Sequence, residues 1–396
     1  MLRGLVVTIA AVFAVGTLSA QSLEQMVISS DTVAYTYTPI DQASRAQTGI
    51  EGFGLRLNDY LTFAEDDPRR VKFSVVGAPA YSESTGWRLV AEATLRYRTA
   101  QHGEPHRLSL RGSASLRGCY ALALDGVNHF VGGHTLSYGG SFALDKYRLY
   151  GLDYATSIVG DYGEYRSRNY GAYLHYDYDI FKNVTIGIRA NYVNKSVVEA
   201  DAYSETIIGE SIRRVSALDF GVGVRYSSYR VEDVNLARGV TVAVEYSVSP
   251  TVLNSIGTTM HEVSAVVDWY QPLWRGGLLA LDIYGEYHSA NTPWMCRSML
   301  GGDSRMRGYY YGRFNGNTLA TAQLELRQRV WEGLVVAGWG GCGEVFSEGD
   351  PASWGKLLPS YGVGIRWYFN PTSLVRIDCG FGRDTYAFVV GYTEAF

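Results

Sequence analysis

Apolar and polar residues alternate with a period of two along most of this chain, the signature of strands with two unlike faces. Between Asn183 and Asn194, Val184, Ile186, Ile188, Ala190 and Tyr192 share one face, and Thr185, Gly187, Arg189 and Asn191 the other. From Leu218, Phe220, Val222, Val224 and Tyr226 alternate with Asp219, Gly221, Gly223 and Arg225. Val240, Val242, Val244, Tyr246 and Val248 stand opposite Thr241, Ala243, Glu245 and Ser247. Ala322, Leu324 and Leu326 oppose Thr321, Gln323, Glu325 and Arg327, and Val363, Ile365 and Trp367 oppose Gly362, Gly364 and Arg366. Fifteen such runs predict strands near 86–98, 107–118, 119–130, 134–146, 165–178, 183–194, 212–228, 239–249, 261–271, 278–289, 318–331, 333–346, 359–369, 373–381 and 385–396.

A soluble sandwich alternates too, but its strands average about 5–6 residues, and these runs reach 10 to 14. Their polar faces are rich in Gly, Thr and Arg, which suits a crowded, wet lumen. Membrane-spanning strands need about 9–11 residues, apolar outward and polar inward. The sheet must close, because each unpaired backbone group in lipid costs several kcal/mol. The fold class predicted is all-β, a transmembrane antiparallel β-barrel over residues 86–396. Single-chain bacterial barrels have even strand numbers, so sixteen strands are expected, with 147–164 holding either the missing strand or a long loop. Residues 290–317 read as a long loop. Residues 21–85 lack regular alternation and include the charged turn Glu65-Asp66-Asp67-Pro68-Arg69-Arg70. They are expected to form a periplasmic extension, a lumen plug or an extra strand.

The N-terminus adds a compartment. Arg3 precedes an apolar run over residues 5–18, and Ser19 and Ala20 are small. This reads as a secretory signal cleaved after Ala20, since a spanning helix needs about 20 apolar residues. A net charge of -4 makes no case for nucleic acid. The 31 Tyr among 396 residues suit a membrane–water interface. Cys119, Cys296, Cys342 and Cys379 are too dispersed for a zinc site. The histidines at 102, 106, 129, 134, 175, 261 and 288 are scattered without metal spacing. No motif marks a catalytic group, a cofactor or a metal, and no enzyme activity is expected.

Four stretches carry a family likeness. They are LGGDSRMRGYYYGRF (300–314), GWGGCGEVF (338–346), YGVGIRWYFNPTSLVRID (361–378) and a last strand ending in Phe396. A fainter one is PAYSESTGWRLVAEATLRYR (79–98). Together they resemble the barrel of the bacterial surface antigen family, the outer-membrane insertase and translocase superfamily that includes BamA and TamA. The resemblance implies an outer-membrane barrel of a Gram-negative bacterium, embedded in outer-membrane lipid. Its partners would be client outer-membrane proteins or a periplasmic protein. Arg307, Gly308 and Tyr309 match the family's Arg-Gly-Phe/Tyr loop element. Tyr392 and Phe396 match the C-terminal barrel signal. The space before the barrel is too short for a usual array of the family's POTRA domains, and an acid common in the family stands here as Gly341.

An Arg inside a barrel must be paired or stay wet, and its planar fork can pin a loop to an inward carboxylate. Arg307 is therefore expected to act as a structural latch, with Glu344, Glu325 or Asp378 as partner. Gly391, in the last strand, is expected to kink a seam between the first and last strands through which outer-membrane components would be inserted or moved. The alternative expectation is a porin-like channel or a structural barrel without insertase activity. The inward arginines and acids are mixed in sign, which fits an ion-paired lumen better than a selective pore.

Overall fold

The computed structural model describes residues 71–82, 86–98, 105–370, 373–391 and 393–396. In chain order its strands are β1 (Val71–Ser82), β2 (Gly86–Tyr97), β3 (His106–Ser115), β4 (Tyr120–Phe130), β5 (His134–Leu149), β6 (Gly163–Phe181), β7 (Val184–Ala200), β8 (Arg214–Ser227), β9 (Arg230–Asp233), β10 (Leu236–Ser249), β11 (Met260–Trp274), β12 (Gly277–His288), β13 (Ser298–Leu300), β14 (Phe314–Gly316), β15 (Thr318–Arg329), β16 (Leu334–Phe346), β17 (Leu358–Asn370), β18 (Ser373–Gly382) and β19 (Thr385–Gly391). Two short helices lie in loops, α1 (Tyr154–Ser157) and α2 (Ala202–Ile208).

One antiparallel sheet holds 17 of these strands. Setting aside the four-residue β9, which pairs alongside β10, sixteen remain in an up-and-down meander. Each of the sixteen pairs with the next in sequence, and β13 pairs with β14 as a separate ribbon. The sheet curls on itself. Arg88 in β2 reaches Asp145 in β5, and Arg189 in β7 reaches Glu245 in β10 at 3.4 Å. Among the described residues no ladder joins β1 to β19.

The register shows why this is a membrane barrel. Ile188, Val222, Tyr246, Val263 and Tyr287 lie side by side across five strands. All five are exposed, Ile188 to 61% and Val222 to 56%. The adjacent row, one residue along, runs Arg189, Gly221, Ser247, Glu262 and His288. In that row Arg189 and His288 are buried. The same inversion runs along β15, where Thr321, Gln323, Glu325 and Arg327 are buried while Leu324 and Leu326 are exposed. A soluble protein hides its apolar face; this chain presents it outward along strand after strand, which only a lipid surround makes favourable.

All fifteen expected strands are present, but the sixteenth is not in 147–164. That stretch ends β5, forms a loop carrying α1, and begins β6. Asp153 caps α1, accepting from Thr156 N at 2.9 Å. The further strand is β1, inside residues 21–85, for which an extra strand was one of the expectations; among the described residues the sheet begins at Val71. Its first half does alternate, with Val71, Phe73 and Val75 exposed and Lys72 buried. The second half, Gly77-Ala78-Pro79-Ala80, hides the pattern. Pro79 has no N–H to give a ladder, and β1 tolerates it because, among the described residues, β2 alone pairs with it along a register. Residues 1–70, with the expected signal peptide at 1–20, lie outside the described residues.

Candidate functional site: an anchored loop beside an open seam

The loop from 289 to 317 connects β12 to β15. Its arms are tied by the β13–β14 ribbon, and Leu300, Met306, Tyr309 and Phe314 pack with Tyr154, Leu319, Val345 and Leu358. This apolar cluster drives the tip, residues 303–309, into the lumen. Arg307 there is fully buried. Its Nη1 donates to Asp378 Oδ2 at 2.8 Å, and its Nη2 to Glu325 Oε2 at 2.6 Å. The guanidinium lies 3.8 Å from the ring centroid of Trp339, a cation–π contact in a dry setting. Its main-chain oxygen accepts from the Ser360 hydroxyl at 2.7 Å. One residue thus touches β15, β16, β17 and β18.

The close approach rests on glycine. Gly308 has φ +112°, a region that side chains strain to enter. A Cβ at Gly308 would stand 2.7 Å from the Phe381 backbone, and one at Gly380 would stand 2.7 Å from the Arg307 backbone. Beyond them the Tyr309 hydroxyl donates to Pro359 O at 2.8 Å and accepts from Arg383 N at 2.7 Å. Burial raises the Tyr309 phenol above its ordinary pKa, so it stays a neutral donor.

Arg307 is one member of a larger cluster. Glu325 also accepts from Arg366 Nη2 at 3.0 Å and from Arg327 Nε at 2.6 Å. Asp378 accepts from Arg366 and from Arg376 Nη1 at 2.9 Å. Glu394, in the tail after β19, lies 3.4 Å from both Arg327 and Arg366 and accepts from the Tyr368 hydroxyl. Four guanidinium groups therefore share three carboxylates. The loop tip has a second tether that the sequence did not reveal. Arg305 forks onto Asp282 in β12 at 2.9–3.0 Å and lies 4.1 Å from the ring centroid of Tyr284.

Of the expected partners of Arg307, Glu325 and Asp378 meet it and Glu344 does not. Glu344 instead accepts from Ser353 N at 2.8 Å. At Gly341 a Cβ would stand 2.5 Å from the Ala322 carbonyl, so an acid has no room there without a shift of the wall. Sequence reading missed Arg305, Asp282, Arg376, Trp339 and Glu394. The pair Arg305 and Arg307, flanking Met306 in a loop rich in Gly, was the one available cue.

Phe396 does not share the outward face of β19, as the alternation had led us to expect. Tyr386 and Phe388 point outward, 74% and 68% exposed. The ladder stops at Gly391, which pairs with Arg376. The tail then turns inward, and Phe396 packs with Ala237, Tyr270, Leu278 and Ala280. Arg327 holds it by a 3.4 Å bond to its main-chain oxygen and by a 5.4 Å cation–π contact. Period-two counting fails once a chain leaves the sheet. Tyr392 lies outside the described residues.

A sixteen-strand antiparallel meander, apolar outward and charged inward, with a long loop folded into its lumen, defines a class: the transmembrane β-barrels of the outer-membrane type. Within that class the fold is similar to BamA from Haemophilus ducreyi lacking POTRA domains 1–3, with 14% identity, a TM-score of 0.57, and 83% of this chain and 70% of that chain covered. It is also similar to CdiB from Escherichia coli, with 12% identity, a TM-score of 0.57, and 84% of this chain and 62% of that chain covered. CdiB from Acinetobacter baumannii matches at 13% identity and a TM-score of 0.53, over 82% of this chain and 59% of that chain. The chain thus spans about three fifths of each CdiB. No family model and no curated protein sequence matches it.

Proposed function

We propose that this protein works in the outer membrane of a Gram-negative bacterium as an assembly or translocation barrel. It would insert or move outer-membrane components through a lateral seam between β1 and β19. The observation that carries this reading is the unpaired seam. The β1 strand is twelve residues long and β19 only seven, and no ladder joins them among the described residues. Unpaired backbone groups facing hydrocarbon cost several kcal/mol each, so such edges favour any strand that can pair with them. A client strand arriving at the seam supplies that pairing.

The anchored loop fits the same reading. It ties β15 through β18 into one rigid wall beside the seam, so that opening falls on β19 and β1. Arg307 acts here as the structural latch. A wide channel is less well supported, because the loop occupies the lumen and its charges are consumed by one another.

The test is the folding rate of a client barrel in liposomes that hold the purified protein, compared with liposomes that hold Arg307→Ala. The wild type is expected to accelerate folding, and the variant to lose much of that effect while remaining folded. No acceleration by a folded wild-type barrel refutes the reading.

A further inference from the structure

We propose that the lumen carries a binding site for a first-row divalent transition cation, formed by Glu262, Glu286 and His288 at the root of the anchored loop. This inference does not depend on the assembly role. Glu262 and His288 are direct cross-strand partners in β11 and β12, and Glu286 lies one pleat from His288 on the same lumen face. One ligand atom from each of the three lies within 4.8 Å of the others. His288 Nε2 is 2.6 Å from Glu286 Oε1, and His288 Nδ1 is 3.9 Å from Glu262 Oε2. Tetrahedral N/O ligands at 2.0–2.1 Å from an ion stand roughly 3.3 Å apart. The imidazole gives one nitrogen to an ion, and the two distances above run to opposite ring nitrogens; with one donor atom from each residue the three lie within 4.8 Å of one another, so side-chain shifts are needed to bring them to that spacing.

The surroundings favour a cation. The site opens on a cavity of about 310 Å³ whose wall also carries Glu245 and Asp219, so carboxylates gather there. The cations nearby are engaged elsewhere. Arg189 binds Asp177 at 2.7 Å and Glu245 at 3.4 Å, Lys195 donates to Met295 O at 3.1 Å, and Arg305 is forked onto Asp282. Among the described residues the Glu262 carboxylate has one ion pair, the 3.9 Å one to His288, and no side-chain hydrogen bond. The Tyr284 hydroxyl donates to Glu286 Oε2 at 3.0 Å, which orients that carboxylate as partners of metal ligands do. Thr321, the cross-strand neighbour of Tyr284, lines the same cavity with a buried hydroxyl that has no hydrogen-bond partner among the described residues. A water on the ion's open position would give that hydroxyl an acceptor or donor.

The donor set selects the ion class. An imidazole nitrogen with two carboxylates suits Zn²⁺ and its first-row neighbours, whereas Mg²⁺ and Ca²⁺ prefer all-oxygen shells of six or more ligands. The ion takes the place of the proton shared between Glu286 and His288, and that proton leaves to solvent. Bound there, it clips β11 to β12 at the residue where the loop departs.

The experiment is equilibrium dialysis of the purified, metal-stripped barrel in detergent against Co²⁺, read by its visible absorption and by ion content, with Zn²⁺ as competitor. About one Co²⁺ per chain is expected, with the intense bands of low coordination number, displaced by Zn²⁺ and not by excess Mg²⁺. Glu262→Gln and His288→Asn are expected to remove that ion, and Tyr284→Phe to weaken it roughly 10- to 100-fold. Folding of each variant is checked by its heat-dependent gel mobility, and Glu262→Gln leaves the Glu286–His288 bond intact should His288→Asn misfold. An absence of bound Co²⁺, displacement by Mg²⁺, or equal binding by folded Glu262→Gln each overturns the proposal.

Discussion

On the wall formed by β15 to β18, the lumen is dry and its charges interlock. On the wall formed by β8, β10, β11 and β12, it holds a cavity of about 310 Å³ lined by carboxylates and cations together. The first wall places Arg307, Arg327, Arg366 and Arg376 against Glu325, Asp378 and Glu394, and each carboxylate is shared by two or three of them. The second brings Glu245, Glu262, Glu286 and Asp219 to one space. Both walls come from the same alternation, so the difference lies in what was brought in to meet the charge. A loop tip and a C-terminal tail fill the first wall and fix it in a single arrangement. The second was left open to water and ions. Interlocked buried charge makes a latch, and charge that lines an open cavity makes a receptive surface.

Changes to the matched wall should have the larger effects. Glu325→Gln removes the acceptor shared by Arg307, Arg327 and Arg366 and leaves buried cations under-compensated. It should cost about 3–5 kcal/mol, read as a lower urea midpoint for unfolding in detergent or lipid. Gly380→Val should come next. It forces the loop backbone off β18 by steric conflict at about 1–3 kcal/mol, and it should expose residues 289–317 to protease while the barrel persists.

Arg307→Ala should cost about 1–2 kcal/mol, less than Glu325→Gln, because Arg366, Arg327 and Arg376 still serve the two carboxylates it leaves. Proteolysis of the loop should rise as in Gly380→Val, with a smaller shift in the urea midpoint. If Arg307→Ala proves more destabilising than Glu325→Gln, the idea of a shared acceptor at the centre of the wall is wrong. The smallest effect should come from outside both walls. Asp201 caps α2, accepting from Ser204 N at 2.7 Å. Asp201→Ala should cost about 1 kcal/mol, seen as faster amide exchange in α2 and no change at the loop.

The barrel was largely legible in the sequence because alternation is local. A strand such as Leu218 to Tyr226 declares both its faces without reference to any neighbour. β1 was legible only as one of three readings of residues 21–85, because Gly, Ala and Pro carry little face information and a charged turn precedes it. The latch was legible only in part. Arg307 and its Gly could be singled out, and two of the three candidate acids proved to be its partners. Which acids these were depends on how deep a long loop descends, and that is set by the apolar packing of Met306, Tyr309 and Phe314. Arg305 with Asp282, and Glu262 with His288, could not be read at all. Their meeting depends on hairpin register and loop path, which leave no periodic trace. The inward turn of Phe396 is of the same kind, since its direction is decided by Arg327 and by an apolar recess, not by spacing.

The seam can be tested by closing it. A cysteine placed in β1 and another in β19, with Cys119, Cys296, Cys342 and Cys379 replaced by alanine, would lock the edges together under oxidation. The rate at which a client barrel folds in liposomes holding this protein would then be measured before oxidation, after it, and after reduction. The account predicts that acceleration disappears on locking and returns on reduction. Equal acceleration by the locked and unlocked forms would contradict it, for the client would then be folding without passing between β1 and β19.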